Sequence, residues 1–349
     1  MVTNAGGDES ARAQRFQPVS DAAGEPQPIE VEPDPVFLVG ARRSGSTLMR
    51  VMLDFHPRIC FPRHFEIELA VQFIGGGIRD PGALPESLAP YYDSLESTYE
   101  FRNKAHEIDR SLGLRALLDS FLRRSQEASG KPVVMAAVHD HFGRLIRIWP
   151  KARFIYLLRD GRDVARSRIA LGWDGNYWAA TAPWIVAERE WEELQEVVPA
   201  DRRMELKYED LVGNTVAELG RVCEFIGIPY DDAIFDYLRA TSYERPDPKL
   251  VAQWRRKLSE NEVRLAEARL APRLRARGYE LSGLPAVEVT PASIRKLERQ
   301  SRWARRRADL RRHGLRLFLL AFITRSLGAT RWQKKIELEI DTRRQGSLL

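Results

Sequence analysis

Cysteine is almost missing from this chain. Only Cys60 and Cys223 occur in 349 residues. Both sit in apolar settings, so neither offers metal-ligand spacing, and two buried thiols fit a reducing, cytoplasmic compartment. Long hydrophobic runs are lacking too. The longest, LRLFLLAFI (Leu315 to Ile323), contains Arg316, is bounded by His313 and Arg325, and is too short to span a bilayer. The N-terminus has no apolar core behind a basic start, which argues against a secretory signal. A large excess of one charge sign is lacking as well: 55 Lys and Arg stand against 49 Asp and Glu, mostly interleaved. The net charge of +6 suits an anionic small molecule as well as nucleic acid, but no nucleic-acid-binding stripe stands out before residue 300. What remains is a globular composition, 44% hydrophobic and 30% charged, long enough for one large domain or two small ones.

Composition divides the chain. Residues 1–34 are rich in Ala, Gly, Pro, Gln and acid without any period and read as a disordered leader. Over residues 35–284 strand-like and helix-like segments alternate, the pattern of a mainly parallel sheet covered by helices. VFLVG is a first strand and STLMRVMLDFHP its helix; RICFP is a short second strand. Residues 111–128 place Leu112, Leu114, Leu117, Leu118, Phe121 and Leu122 on one broad helical face. VVMAAV, RFIYLL and MELKY (Met204 to Tyr208) are further strands, and FGRLIRIWP is a helix closed by Pro150. Residues 285–349 differ: WARRRADLRRHGLR and RWQKK make a basic, helical extension, read plainly as a solvated appendage and more sharply as a membrane-surface or partner-binding helix.

Two stretches carry the chemistry. In Val36 to Leu53 and again in Arg153 to Arg168, a buried strand ends in a turn rich in backbone donors and runs into a helix. That order makes an anion cradle, and two of them suit a ligand with two separate phosphate groups. In the first, Gly40 and Gly45 let the backbone turn sharply, while Ser46 and Thr47 open the helix. The nucleotide P-loop GxxxxGK[ST] is the nearest general template, but Ser46 stands where its Lys belongs, and Arg42 and Arg43 come earlier. A kinase or other P-loop phosphotransferase is therefore disfavoured. Asp160, wedged between Arg159 and Arg162, suits phosphate better than metal.

GARRSGSTLMR resembles the 5′-phosphosulfate loop of sulfotransferases that use 3′-phosphoadenosine-5′-phosphosulfate (PAPS), and LLRDGRDVARS resembles their 3′-phosphate motif. LKYEDLVGNTVAELGRVCEFIGIPY is similar to the family's Tyr-Glu-Asp-Leu segment. The resemblance implies a P-loop-like three-layer α/β fold and in-line transfer of a sulfuryl group to a hydroxyl or amine, leaving 3′,5′-adenosine bisphosphate and needing no metal. It assigns Arg43 to the 5′-phosphosulfate, with Arg42, Ser44, Gly45, Ser46 and Thr47 as loop donors. Arg159 and Ser167 go to the 3′-phosphate, with Tyr208 nearby and Arg245 on a cofactor-covering segment.

The base is open between two regions. His139 closes VVMAAV about where cytosolic sulfotransferases place a Thr-His pair, although their preceding Lys is Ala137 here, leaving Arg43 to supply that charge. His64 falls where tyrosylprotein-type sulfotransferases carry a catalytic Glu, and Glu66 serves if the register slips by two. His141 shares the side of His139 if the strand continues. Trp173 and Trp178 wall an acceptor pocket, whereas Trp184 and Trp191 are core-facing. The acceptor is a small molecule, glycan or lipid, with no nucleic acid partner. A non-catalytic nucleotide-binding protein is the remaining alternative.

Overall fold

The computed structural model describes residues 35–76, 78, 85, 87–96, 98 and 108–326. The leader at 1–34 and the RWQKK stretch fall outside these residues. All elements described here belong to one compact unit, Glu32–Leu349.

Five parallel strands form the sheet in the order β2-β3-β1-β4-β5: β1 Val36–Val39, β2 Ile59–Cys60, β3 Val133–Val138, β4 Arg153–Leu158 and β5 Arg203–Lys207. Central β1 is buried along its whole length, as a parallel strand covered on both faces must be. Its side chains alternate between two cores. Phe37 and Val39 enter one cluster with Trp149, Trp184 and Trp191. Val36 and Leu38 enter the other with Met52, Leu206 and Val222. The period of two thus commits each residue of β1 to one layer.

Helices fill both layers. Those used below are α1 Ser46–Asp54, α2 Phe65–Phe73, α3 Ala89–Glu96, α4 Leu114–Ser129, α5 Gly161–Ala170, α6 Ala182–Val197, α7 Tyr208–Gly213, α8 Thr215–Ile226, α9 Glu260–Ala276 and α10 Pro291–Ser326. Three sequence expectations shift. Phe142 to Pro150 is not one helix but a 3-10 turn, Phe142–Arg144, and a single α turn, Leu145–Ile148. Pro150 pushes Trp149 out of the helical region, to φ −124°. Tyr208 opens α7 rather than ending β5. The second strand shrinks to two residues at the sheet edge.

The order of strands places the site. From β1 the chain moves to one side through β2 and β3, then to the other through β4 and β5. An open parallel sheet binds ligands at such a switch point, outside the carboxyl ends of its strands. The residues there are the Gly40 loop after β1, His139 after β3 and Arg159 after β4.

Candidate active site

The loop from Gly40 to Gly45 needs unusual backbone. Gly40 has φ +141°, and a Cβ there would lie 2.6 Å from the Leu157 carbonyl oxygen. Gly45 has φ +104°, and a Cβ would lie 2.4 Å from the Tyr208 ring. Arg43 also holds a positive φ, 80°, a conformation that costs a side-chain-bearing residue and is retained where surroundings enforce it. The first amides of α1 have no partner within the helix and open toward this loop. Ser44 is buried, and its hydroxyl has no hydrogen-bond partner among the described residues.

Beside the loop, cations converge. Arg159 is 8% exposed. Its guanidinium lies 4.0 Å from the Tyr208 ring centroid and donates to the carbonyls of Arg43 (3.3 Å) and Leu250 (3.1 Å). Its buried Nε has no hydrogen-bond partner among the described residues. Arg43 Nε donates to Ser167 Oγ at 3.0 Å. Burial first, then the charges of Arg159, Arg166 and Arg168, push the Arg43 pKa down. Clustered like charges lower one another's pKa, and an anion placed among them would relieve the repulsion.

The neighbouring Arg162 has a different fate. Its guanidinium pairs with both oxygens of Asp160 (3.0 and 2.7 Å) and with Glu267 (2.6 Å), 3.6 Å from the Trp254 ring centroid. Asp160 also accepts from the Arg162 amide as the cap of α5. Its carboxylate is consumed in scaffolding rather than facing phosphate or metal.

A second group lines a cleft of about 240 Å³ between α1, α2 and β3, walled by Arg42, Ser46, Arg50, His64, Glu68 and His139 among others. Thr47 lines it too. Ser46 Oγ lies 2.7 Å from His139 Nε2, and His139 Nδ1 lies 3.1 Å from Glu68 Oε1. Glu68 also accepts from Arg42 at 2.7 Å, and Arg42 reaches Asp140 at 2.9 Å. Burial alone would raise the Glu68 carboxyl. The His139 imidazole and the Arg42 guanidinium outweigh it and hold the group at about 2. A carboxylate on Nδ1 places the proton there and leaves Nε2 as the accepting nitrogen.

Several expected residues land elsewhere. Glu66 is buried, and its carbonyl accepts from the Tyr91 hydroxyl. Because α2 buries Ile67, Ala70 and Val71, the helical period turns Glu66 inward with Ala70 and leaves Glu68 toward the cleft. Glu68 is the residue the sequence reading missed, and that period is the signal that could have found it. His64 lines the cleft but is 5% exposed. His141 is exposed and takes φ 56° beyond the end of β3, so the strand does not continue and the alternation with His139 breaks. Trp173 lies beside Arg43 and Arg168, at 5.8 and 5.4 Å, so it joins the cation cluster rather than the cleft wall. Trp178 sits under Arg269, 4.9 Å away. The exposed Arg245 lies over Phe235, and its segment instead brings the Leu250 carbonyl to Arg159. Arg43 contacts Ser167, which joins residues that the resemblance assigned to opposite ends of the nucleotide.

Fold and site define an α/β protein with a cationic anion cradle and a His–carboxylate cleft at the carboxyl ends of its central strands. The model of the sulfotransferase family matches residues 35–232, and the chain belongs to that family. It is similar to protein-tyrosine sulfotransferase A of Caenorhabditis elegans, 24% identical over 281 residues, covering 72% of this chain and 68% of that protein. The protein-tyrosine sulfotransferase of Drosophila melanogaster is 25% identical over 214 residues, 58% of this chain but 40% of that protein. The omega-hydroxy-beta-dihydromenaquinone-9 sulfotransferase of Mycobacterium tuberculosis (strain CDC 1551 / Oshkosh) is 23% identical over 273 residues, covering 62% and 68%.

Proposed function

We propose that this sulfotransferase transfers a sulfuryl group from PAPS to the hydroxyl of an acceptor, with His139 as the general base. One observation carries the reading: Arg43 and Arg159, whose hydrogen bonds go to Ser167 and to backbone carbonyls, share one end of the sheet with a Ser46–His139–Glu68 chain. The relatives support a hydroxyl acceptor rather than an amine, since their names specify protein tyrosine and an omega-hydroxy compound.

Arg159, Ser167 and Arg43 would hold the 3′-phosphate. The α1 amides with Ser44, Ser46 and Thr47 would hold the 5′ end. When Ser46 turns to the anion, His139 Nε2 becomes free to take the acceptor proton, with Glu68 stabilising the imidazolium. The acceptor oxygen then bonds to sulfur as the bond from sulfur to the phosphate oxygen breaks. The α1 amides and nearby arginines stabilise the charge growing on that leaving oxygen. Positioning supplies the remainder.

The test has two readouts. Adenosine 3′,5′-bisphosphate should raise the melting temperature and ATP–Mg²⁺ should not; the reverse would favour a phosphotransferase. His139→Ala should lower turnover of labelled PAPS with an accepted hydroxyl compound by about 10²–10⁴-fold while the bisphosphate shift persists. Full activity in that variant would end its assignment as base.

A further inference from the structure

The helix α10, Pro291–Ser326, has two unlike faces. Over residues 291–311 its inner face, Ile294, Leu297, Ser301, Ala304 and Ala308, follows helical spacing and is buried or half-buried, while most of the other positions are exposed. It is fastened to the body at one corner. Asn176 Nδ2 donates to the Leu297 carbonyl at 2.6 Å, and the Gly175 amide donates to Ser301 Oγ at 3.1 Å. A Cβ on Gly175 would lie 2.5 Å from that of Ala304, so the approach requires glycine. This corner follows directly on Trp173 and Asp174, of which the first lies beside Arg43 and the second pairs with Arg168 at 2.7 Å.

The outer face is cationic. Every Lys and Arg from Arg295 to Arg311 is exposed, eight in all, against only Glu298 and Asp309 in the same stretch. Trp303 stands among them at 68% exposure, with Arg306 5.9 Å from its ring centroid. The sequence then continues as LRLFLLAFI, and the helix runs on through it to Ser326.

We propose that this outer face docks the protein on an anionic lipid surface. Density of positive charge supplies the attraction, since basic residues near a membrane are drawn to acidic headgroups within a Debye length. An exposed tryptophan among arginines suits the headgroup boundary, where its amphipathic ring is stable. The apolar run after the basic one distinguishes a bilayer from a nucleic acid, which would call only for the charge. The inner face is already used against the protein body, so docking needs no detachment of α10. It would hold the Trp173 corner, and with it the Arg43 end of the site, close to the bilayer. This inference stands independently of the donor and of the base.

The experiment is co-sedimentation of the full chain with vesicles of phosphatidylcholine alone and of phosphatidylcholine mixed with phosphatidylglycerol. Binding is expected only to the mixed vesicles and should fall as salt rises. Exchange of Arg302, Arg305 and Arg306 for Glu should weaken it by about a hundredfold without altering the melting shift from adenosine 3′,5′-bisphosphate. Trp303→Phe should remove a blue shift of tryptophan emission seen on mixed vesicles. Should the charge-reversed chain fold poorly, Arg295→Gln with Lys296→Gln and Arg299→Gln gives the same comparison. Equal binding by wild type and variants overturns the proposal. So does wild-type binding to duplex RNA with none to either vesicle.

Discussion

Arg159 and Arg162 follow the same strand, are both buried, and do opposite things. Arg162 is enclosed by Asp160 and Glu267 and stacks on Trp254, so its charge is balanced within the fold. Arg159 is offered two carbonyl oxygens and an aromatic face, with a buried Nε that has no hydrogen-bond partner among the described residues. A buried cation surrounded by carboxylates is a tie between segments. One that donates to carbonyls and keeps a buried nitrogen without a hydrogen-bond partner still has donor capacity for an anion.

The sharpest way to break this contrast is Arg162→Ala. Leaving Asp160 and Glu267 buried without their cation should cost about 3–5 kcal/mol of stability, read by urea unfolding. A loss under 1 kcal/mol would mean that the pair is not a tie. Arg159→Ala should act the other way: bisphosphate affinity should fall by about 2–5 kcal/mol, read by calorimetry, with little change in unfolding. An unchanged affinity would remove Arg159 from the anion site.

The Glu68 carboxylate sharpens the same logic at the cleft. Its pKa in the fold, about 2, lies below the 4.5 of an unperturbed Glu. It therefore contributes stability above pH 4.5 that is lost as pH falls toward 2. Glu68→Gln should flatten that acid limb by about 2–3 kcal/mol; parallel limbs in urea titrations of the two proteins would contradict it. The smallest effect belongs to Arg245→Ala, which should leave both stability and bisphosphate affinity within about 0.5 kcal/mol. A larger loss of affinity would return Arg245 to the ligand.

Much of the scaffold was legible locally. VFLVG and RFIYLL are apolar enough to be central strands wherever they fall, and Gly40 and Gly45 mark a loop that tolerates no Cβ. The Trp184–Trp191 pair was legible from spacing alone, and both are buried. The cleft was harder. Choosing among His64, Glu66 and Glu68 required the rotation of α2, and that depends on which side Ile67 and Ala70 bury. His141 was misplaced because the end of β3 is decided by its pairing with β1, which stops at Val138. The partner of Trp178, Arg269, comes from α9, far along the chain, so no local pattern shows that contact.

By itself, then, the sequence determined the two cradles, the parallel α/β arrangement and the family resemblance. Each depends on residues within a few positions of one another, where strand, turn and helix preferences act. Only the tertiary structure decided which arginine is enclosed by carboxylates and which donates to carbonyls, and which carboxylate meets His139. Those outcomes rest on contacts between residues 124 apart, as for Arg43 and Ser167, or 93 apart, as for Ser46 and His139. No local preference encodes such meetings; they follow from how the packed layers bring three strand ends together.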